Sequence, residues 1–168
     1  MPNEALHLGP ASQLRYELVR EGEARMHMRL PEDVESYLVF VLHRHQGDAQ
    51  LGGRTMALEC LHGLECVGTA RCDALRDVGD RCLLIAGLFP ALARRRNVGP
   101  DYYASLGQAA YPEVAVLARA GQASLFVQLA HGFVAMRHVL AGVAAQVRTC
   151  GSPSSRAALL ESGPSAGH

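Results

Sequence analysis

The sequence predicts an all-α protein, a single-domain helical bundle of about six or seven helices with a long C-terminal helix. In several segments apolar residues recur at intervals of three and four, which is the period of an α-helix. Prolines and acidic residues that start helices, and glycines that end them, separate these segments by short loops, which favour antiparallel neighbours. With 168 residues, 49% of them hydrophobic and 19% charged, the chain is long enough to bury a core.

Composition divides the chain into three parts. Residues 1–11 are predicted to be an irregular N-terminal lead, and residues 12–150 to be the helical domain. Residues 151–168 are rich in Gly, Ser and Pro and contain little to bury, so a flexible C-terminal tail is predicted there.

Two helices are predicted at the start of the domain. The first covers residues 12–29, and the second begins at Pro31, because proline followed by acidic residues is typical of a first helical turn. Gly47 ends the second helix, whose apolar arc is wide enough for burial on nearly every side. His43 and His45 lie near its end, where we expect them to cap the helix or face solvent.

A third helix over about 54–67 is predicted to turn Leu61 and Leu64 inward. Soft metal ligands are concentrated in and just after it, namely Cys60, His62, Cys66 and Cys72. His62 and Cys66 share a helix face, so a metal or redox site is an open alternative. The spacings do not match the paired cysteines of usual zinc motifs, and buried inert thiols are the commoner case.

The central helix is predicted over residues 70–86, with Thr69 as its N-cap and a left-handed Gly87 as its end. Its apolar stripe consists of Leu75, Val78, Cys82, Ile85 and Phe89.

Three carboxylates of this helix, Asp73, Asp77 and Asp80, share a face away from that stripe. Arginines flank them, and the spacings Arg76 to Asp80 and Asp77 to Arg81 predict surface ion pairs. A small metal-dependent enzyme that uses these carboxylates or the nearby tyrosines is a second alternative.

Pro90 and Pro100 each suit the first position of a further short helix. Between them lie Arg94, Arg95 and Arg96, which complement a helix C-terminus and are also a candidate anion-binding group. Because the 16 basic and 16 acidic residues of the chain cancel, nucleic acid is not an expected partner. Tyr102 and Tyr103 follow in the second of these helices and are expected to pack.

The segment GDRCLLIAGLFP, followed by DYYASLGQAAY, resembles a family of uncharacterised bacterial helical proteins, and PEDVESYLVFVLHRH is similar to the first core helix of that family. The resemblance covers about residues 30–120 and rests on packing residues. It implies the helical fold and brings no established activity.

The long C-terminal helix is predicted from Pro112 to about Arg148, with a break at Tyr111 and Pro112 and a second interruption near Gly121. A second, partly apolar flank consists of Val127, His131, Val134 and His138. A helix that is apolar on more than one side is central or contacts a partner, so these residues are predicted to form an interaction surface, most simply that of a homodimer.

Several enzyme classes are excluded by composition. The chain contains no lysine, since all basic residues are arginine, so it has neither a Walker A loop nor a Schiff-base nucleophile. Dinucleotide, nucleophile-elbow, zincin and C-x-x-C signatures are absent. No signal peptide and no membrane-spanning run are evident, so a cytoplasmic location and reduced cysteines are expected.

These observations predict a cytoplasmic bacterial regulatory or protein-interaction module that acts through a helical surface. Catalytic activity and a cofactor are not expected. The expected partner is a second copy of the chain or another protein, and membrane binding is not expected.

Overall fold

The computed structural model describes residues 9–48, 51 and 55–150, in which all regular structure is α-helical. The helices are α1 (Pro10–Arg25), α2 (Glu32–Arg44), α3 (Met56–Glu65), α4 (Gly68–Gly87), α5 (Pro90–Arg95), α6 (Pro100–Leu117), α7 (Ala120–His131) and α8 (Phe133–Cys150). The predicted all-α class is confirmed, with eight helices in the described residues in place of six or seven. The lead is described only from residue 9, and α1 begins within it; the tail predicted for residues 151–168 lies outside the described residues.

The buried apolar side chains form one cluster to which every one of these eight helices contributes. Its largest fully buried members include Tyr111, Phe133, Leu38, Met56 and Leu75. Helix α4 lies at the centre and packs against α3, α5, α6 and α8. Four residues of its predicted stripe, from Leu75 to Ile85, are at most 2% exposed, and the fifth, Phe89, is partly buried, so this prediction is confirmed.

Glycines allow the closest helix contacts. Gly87 is not left-handed, as the sequence suggested, because α4 continues through it and presses it against α8. A Cβ atom on Gly87 would lie 2.6 Å from Cβ of Leu140. Gly68, with φ of +60°, holds the left-handed conformation at the start of α4 instead.

The predicted break at Pro112 is wrong, because α6 passes through this proline without interruption. Tyr111 is fully buried beside it, and this packing outweighs the loss of one backbone hydrogen bond at the proline. The actual breaks come at Ala118, where the backbone is extended, and at Gly132. The predicted long C-terminal helix is therefore divided, and α7 and α8 meet at an angle of 68°.

Within the described part of the chain, no single helix combines the length and hydropathy needed to cross a bilayer. The bent pair of α7 with residues 133–149 of α8 meets that criterion only when its two members are taken together.

Candidate functional site

The four residues predicted as an interaction surface lie on both sides of the bend at Gly132. Val127 and His131 belong to α7, and Val134 and His138 to α8. All four are exposed, and the two valines expose 45% and 50% of their surface. We call this surface, together with the groove described next, the uncharged face.

A groove of about 490 Å³ separates α6 from α7 beside these residues. It is lined by Gln108, Pro112, Ala115, Val116, Val127, Ala130 and His131. Most of this lining is apolar, and Val116 at its edge is 82% exposed. The groove thus extends the apolar surface around Val127 onto the C-terminal half of α6.

The helical segment that carries Val127, His131 and Val134 contains no formally charged residue. Between Arg119 and Arg137, all of α7 and the first turn of α8 contain no Asp, Glu, Lys or Arg. Arg137 turns away to Asp101, with 2.7 Å between guanidinium and carboxylate. Charge is depleted at the centres of protein interfaces, so this composition is typical of a surface that becomes buried.

A second apolar surface lies on α3, where the sequence prediction was wrong. Leu61 and Leu64 were expected to point inward, but they are 57% and 39% exposed. Gly63 faces α4 in their place, since a Cβ there would lie 3.1 Å from the side chain of Leu75. Together with Leu58 and Val67, which are 64% and 82% exposed, they form what we call the α3 stripe.

The four candidate metal ligands near α3 are not gathered at one point. Only His62 and Cys66 touch, with 3.9 Å between Nε2 and Sγ. Cys60 packs against the core, and burial, followed by the nearby Glu113, raises the pKa of its thiol. In the ranges that the structure describes, no group of three or more His, Cys, Asp or Glu side chains has the geometry to hold a metal ion.

Cys82 is expected to be chemically inert in the folded protein. Burial, followed by the neighbouring Cys60, raises the pKa of its thiol to about 12. At pH 8 only about one Cys82 side chain in ten thousand is then a thiolate, which is the reactive form. Alkylation of the native protein at pH 8, read by peptide mass spectrometry, should modify the partly exposed Cys66 and leave Cys82 intact. Equal rates at the two thiols would contradict this packing, and labelling in urea is the control.

A buried polar centre, which the sequence did not predict, lies where α2, α4 and α6 meet. Asp80 is 0% exposed, and its Oδ1 accepts hydrogen bonds from the hydroxyls of Tyr37 and Tyr111, at 2.8 and 2.9 Å. Its Oδ2 lies 3.4 Å from Nη1 of Arg44. Burial, and then the charge of Asp80, raise the pKa of both tyrosines, so each hydroxyl keeps its proton and remains a donor.

Further ion pairs connect this centre with the surface. Arg44 also lies 3.5 Å from Asp77, which pairs with Arg81 at 2.7 Å. Arg81 reaches Asp48 in the loop after α2, at 2.9 Å. His45 is buried rather than exposed, and its Nδ1 lies 3.3 Å from the carboxylate of Asp48.

The structure revises one of the two predicted ion pairs. The pair of Asp77 with Arg81 is confirmed, but Arg76 contacts Asp73, at 3.7 Å, and not Asp80. One signal in the sequence could have placed Asp80 inside. Leu83, Leu84 and Gly87 lie one and two turns further along the same side of α4, and all three are buried.

The remaining candidates lie apart from these sites. Arg94, Arg95 and Arg96 are exposed at the end of α5, and anion binding there stays a prediction. Tyr103 is 5% exposed and Tyr102 46%, so only the first is part of the core.

Comparisons of the chain with protein-family models, with curated proteins and with solved structures give no match.

Proposed function

We propose that the protein is a regulatory or interaction module without catalytic activity, folded as a single domain, that forms a homodimer through the uncharged face. The observation that carries the proposal is the exposure of Val127, which lines an apolar groove, and of Val134 beyond the bend, in a surface that lacks formal charge. The cytoplasmic location expected from the sequence is part of the proposal.

A second copy is the occupant that this surface favours. In a two-fold interface the same patch is buried on both subunits, so any charge near the axis meets its own equivalent. A face without Asp, Glu, Lys or Arg between residues 119 and 137 avoids that repulsion. A charged partner would leave its own charges unpaired against this face, which costs affinity.

In the proposed dimer, exposed apolar side chains of one subunit enter the groove of the other. Val134 is exposed just beyond the bend at Gly132, and Val127 and His131, before the bend, line the groove between α6 and α7. A stable dimer needs about 800 Å² of buried surface from each subunit, so parts of all three helices α6, α7 and α8 must contribute.

Replacing Val127 with aspartate tests the proposal. The change places two like charges close to the two-fold axis in surroundings that offer them no partner, and we expect the dimer dissociation constant to rise at least tenfold. Analytical ultracentrifugation over a range of protein concentrations measures it.

The matched control is Val67→Asp, because Val67 is 82% exposed and belongs to the α3 stripe. This variant should leave the dimer unchanged. If Val67→Asp dissociates the dimer and Val127→Asp does not, the interface lies on the other surface and the proposal is wrong.

A further inference from the structure

The α3 stripe is a second apolar surface that differs from the uncharged face in shape and in charge. It presents Leu58, Leu61 and Leu64 along one side of a ten-residue helix and continues to Val67. Their exposures run from 39% to 82%. Leucines at intervals of three on a helix form a continuous ridge, against which another helix can pack.

The ridge continues toward the end of α6. The guanidinium of Arg71 donates to the backbone oxygen of Leu64 at 3.2 Å and contacts the carboxylate of Glu113 at 3.4 Å. Leu117 follows Glu113 by four residues on the same side of α6 and is 39% exposed. Arg71 therefore connects the last turn of α3 with α6, and Leu117 adds an exposed apolar side chain on that side of α6.

The charge of α3 argues against self-association through this surface. Residues 55–70 contain no arginine, so two copies of α3 placed side by side would bring no basic side chain of their own to the exposed Glu65. Glu65 is exposed at the edge of the stripe. Basic side chains on a partner would complement the carboxylate of Glu65.

We propose that the α3 stripe binds an amphipathic helix of a different protein, in which lysines or arginines flank the apolar residues. Apolar anchors at spacings of three, four and seven would contact the leucines, and the flanking cations would face Glu65. Ten residues of α3 span about 15 Å, which matches a partner helix of about three turns. This proposal does not depend on dimerisation, and with it the protein would be an adaptor with one surface for itself and one for a partner.

Two fluorescein-labelled 18-residue peptides test the proposal by fluorescence anisotropy with the full chain. Both have leucines at the same helical positions; one has lysines at the flanking positions and the other glutamates. We expect the leucine–lysine peptide to bind at least tenfold more tightly, and the difference to shrink as salt rises. Equal binding of the two peptides would overturn the proposal that the partner helix carries flanking cations.

Substitutions locate the binding. Leu61→Gln should weaken the leucine–lysine peptide at least tenfold, whereas the control Tyr102→Gln, at a 46% exposed side chain outside both surfaces, should have no effect. Glu65→Gln should weaken the same peptide about threefold and reduce the salt dependence. An unchanged affinity in Leu61→Gln, with its unfolding midpoint also unchanged, would overturn the proposal.

Two further results would assign the stripe to another occupant and so overturn the proposal. Loss of the dimer in Leu61→Gln would mean that a second copy binds there. Binding of a synthetic peptide of residues 151–168, abolished by Leu61→Gln, would mean that the chain's own C-terminal segment does. The peptide measurements are repeated with Val127→Asp, so that failure of the dimer proposal and failure of this one give different results.

Discussion

Replacing Asp80 with alanine is expected to lower the free energy of unfolding by about 3–5 kcal/mol, a large fraction of the stability of a typical domain. Its carboxylate is fully buried and accepts hydrogen bonds from Tyr37 and Tyr111, while Arg44 lies 3.4 Å away. Alanine would leave two buried hydroxyls and part of a guanidinium without their partner. Each buried donor left unpaired costs about 1–3 kcal/mol, so the estimate does not depend on any one contact.

Chemical denaturation in urea, followed by circular dichroism, measures this loss. Asp80→Asn should fall between the wild type and Asp80→Ala, because the amide oxygen still accepts a tyrosine hydrogen bond but the negative charge is removed. Asp73→Ala is the control. Its side chain is 68% exposed and pairs with Arg76 only at 3.7 Å, so a change of at most about 0.5 kcal/mol is expected. An Asp80→Ala protein as stable as this control would contradict the buried centre.

Gly22→Ala is expected to lower the free energy of unfolding by about 1–3 kcal/mol, which is the usual cost of overpacking. A Cβ at Gly22 would lie 2.6 Å from the backbone oxygen of Val139 and 2.7 Å from Cγ2 of Val143. Since one of these atoms belongs to the backbone of α8, rotation of a side chain does not relieve the contact. Helices α1 and α8 must move apart, and α8 carries Val134 and His138 of the uncharged face.

The matched control is Gly121→Ala in the first turn of α7. A Cβ there meets nothing within 4 Å, and its φ is not positive, so the substitution should raise the free energy of unfolding by about 0.4–1 kcal/mol. Both variants add one methyl group, so opposite changes in the free energy of unfolding isolate the effect of packing. If Gly22→Ala were also stabilising, α1 and α8 would not pack at the distance described.

Local signals predicted the start of α5 at Pro90 and of α6 at Pro100, because a proline at the first helical position needs no tertiary context. They failed at Pro112, where the burial of Tyr111 keeps α6 continuous. Helical period also does not say which side of a short helix faces the core. On α3 that choice depends on Gly63 meeting Leu75, a contact between different helices.

The candidate sites also differ in whether local sequence signals or contacts between helices determine them. The helical period placed Val127 and Val134 on a second apolar flank, and both side chains are exposed in the structure. The centre around Asp80 was not readable in this way, because its partners Tyr37 and Tyr111 lie 43 and 31 residues away along the chain. A carboxylate between arginines is typical of a solvated helix face, and the apolar residues Leu83, Leu84 and Gly87 on the same side of α4 were the one local signal against that interpretation.

The central claim, self-association through the uncharged face, is tested most directly by sedimentation equilibrium of the unmodified protein from about 1 to 100 µM, compared with Val127→Asp over the same range. A reversible dimer of twice the 18.0 kDa chain mass in the unmodified protein, weakened at least tenfold in the variant, is the expected result. A monomer at every concentration, or a dimer that is equally stable in Val127→Asp, would contradict the claim.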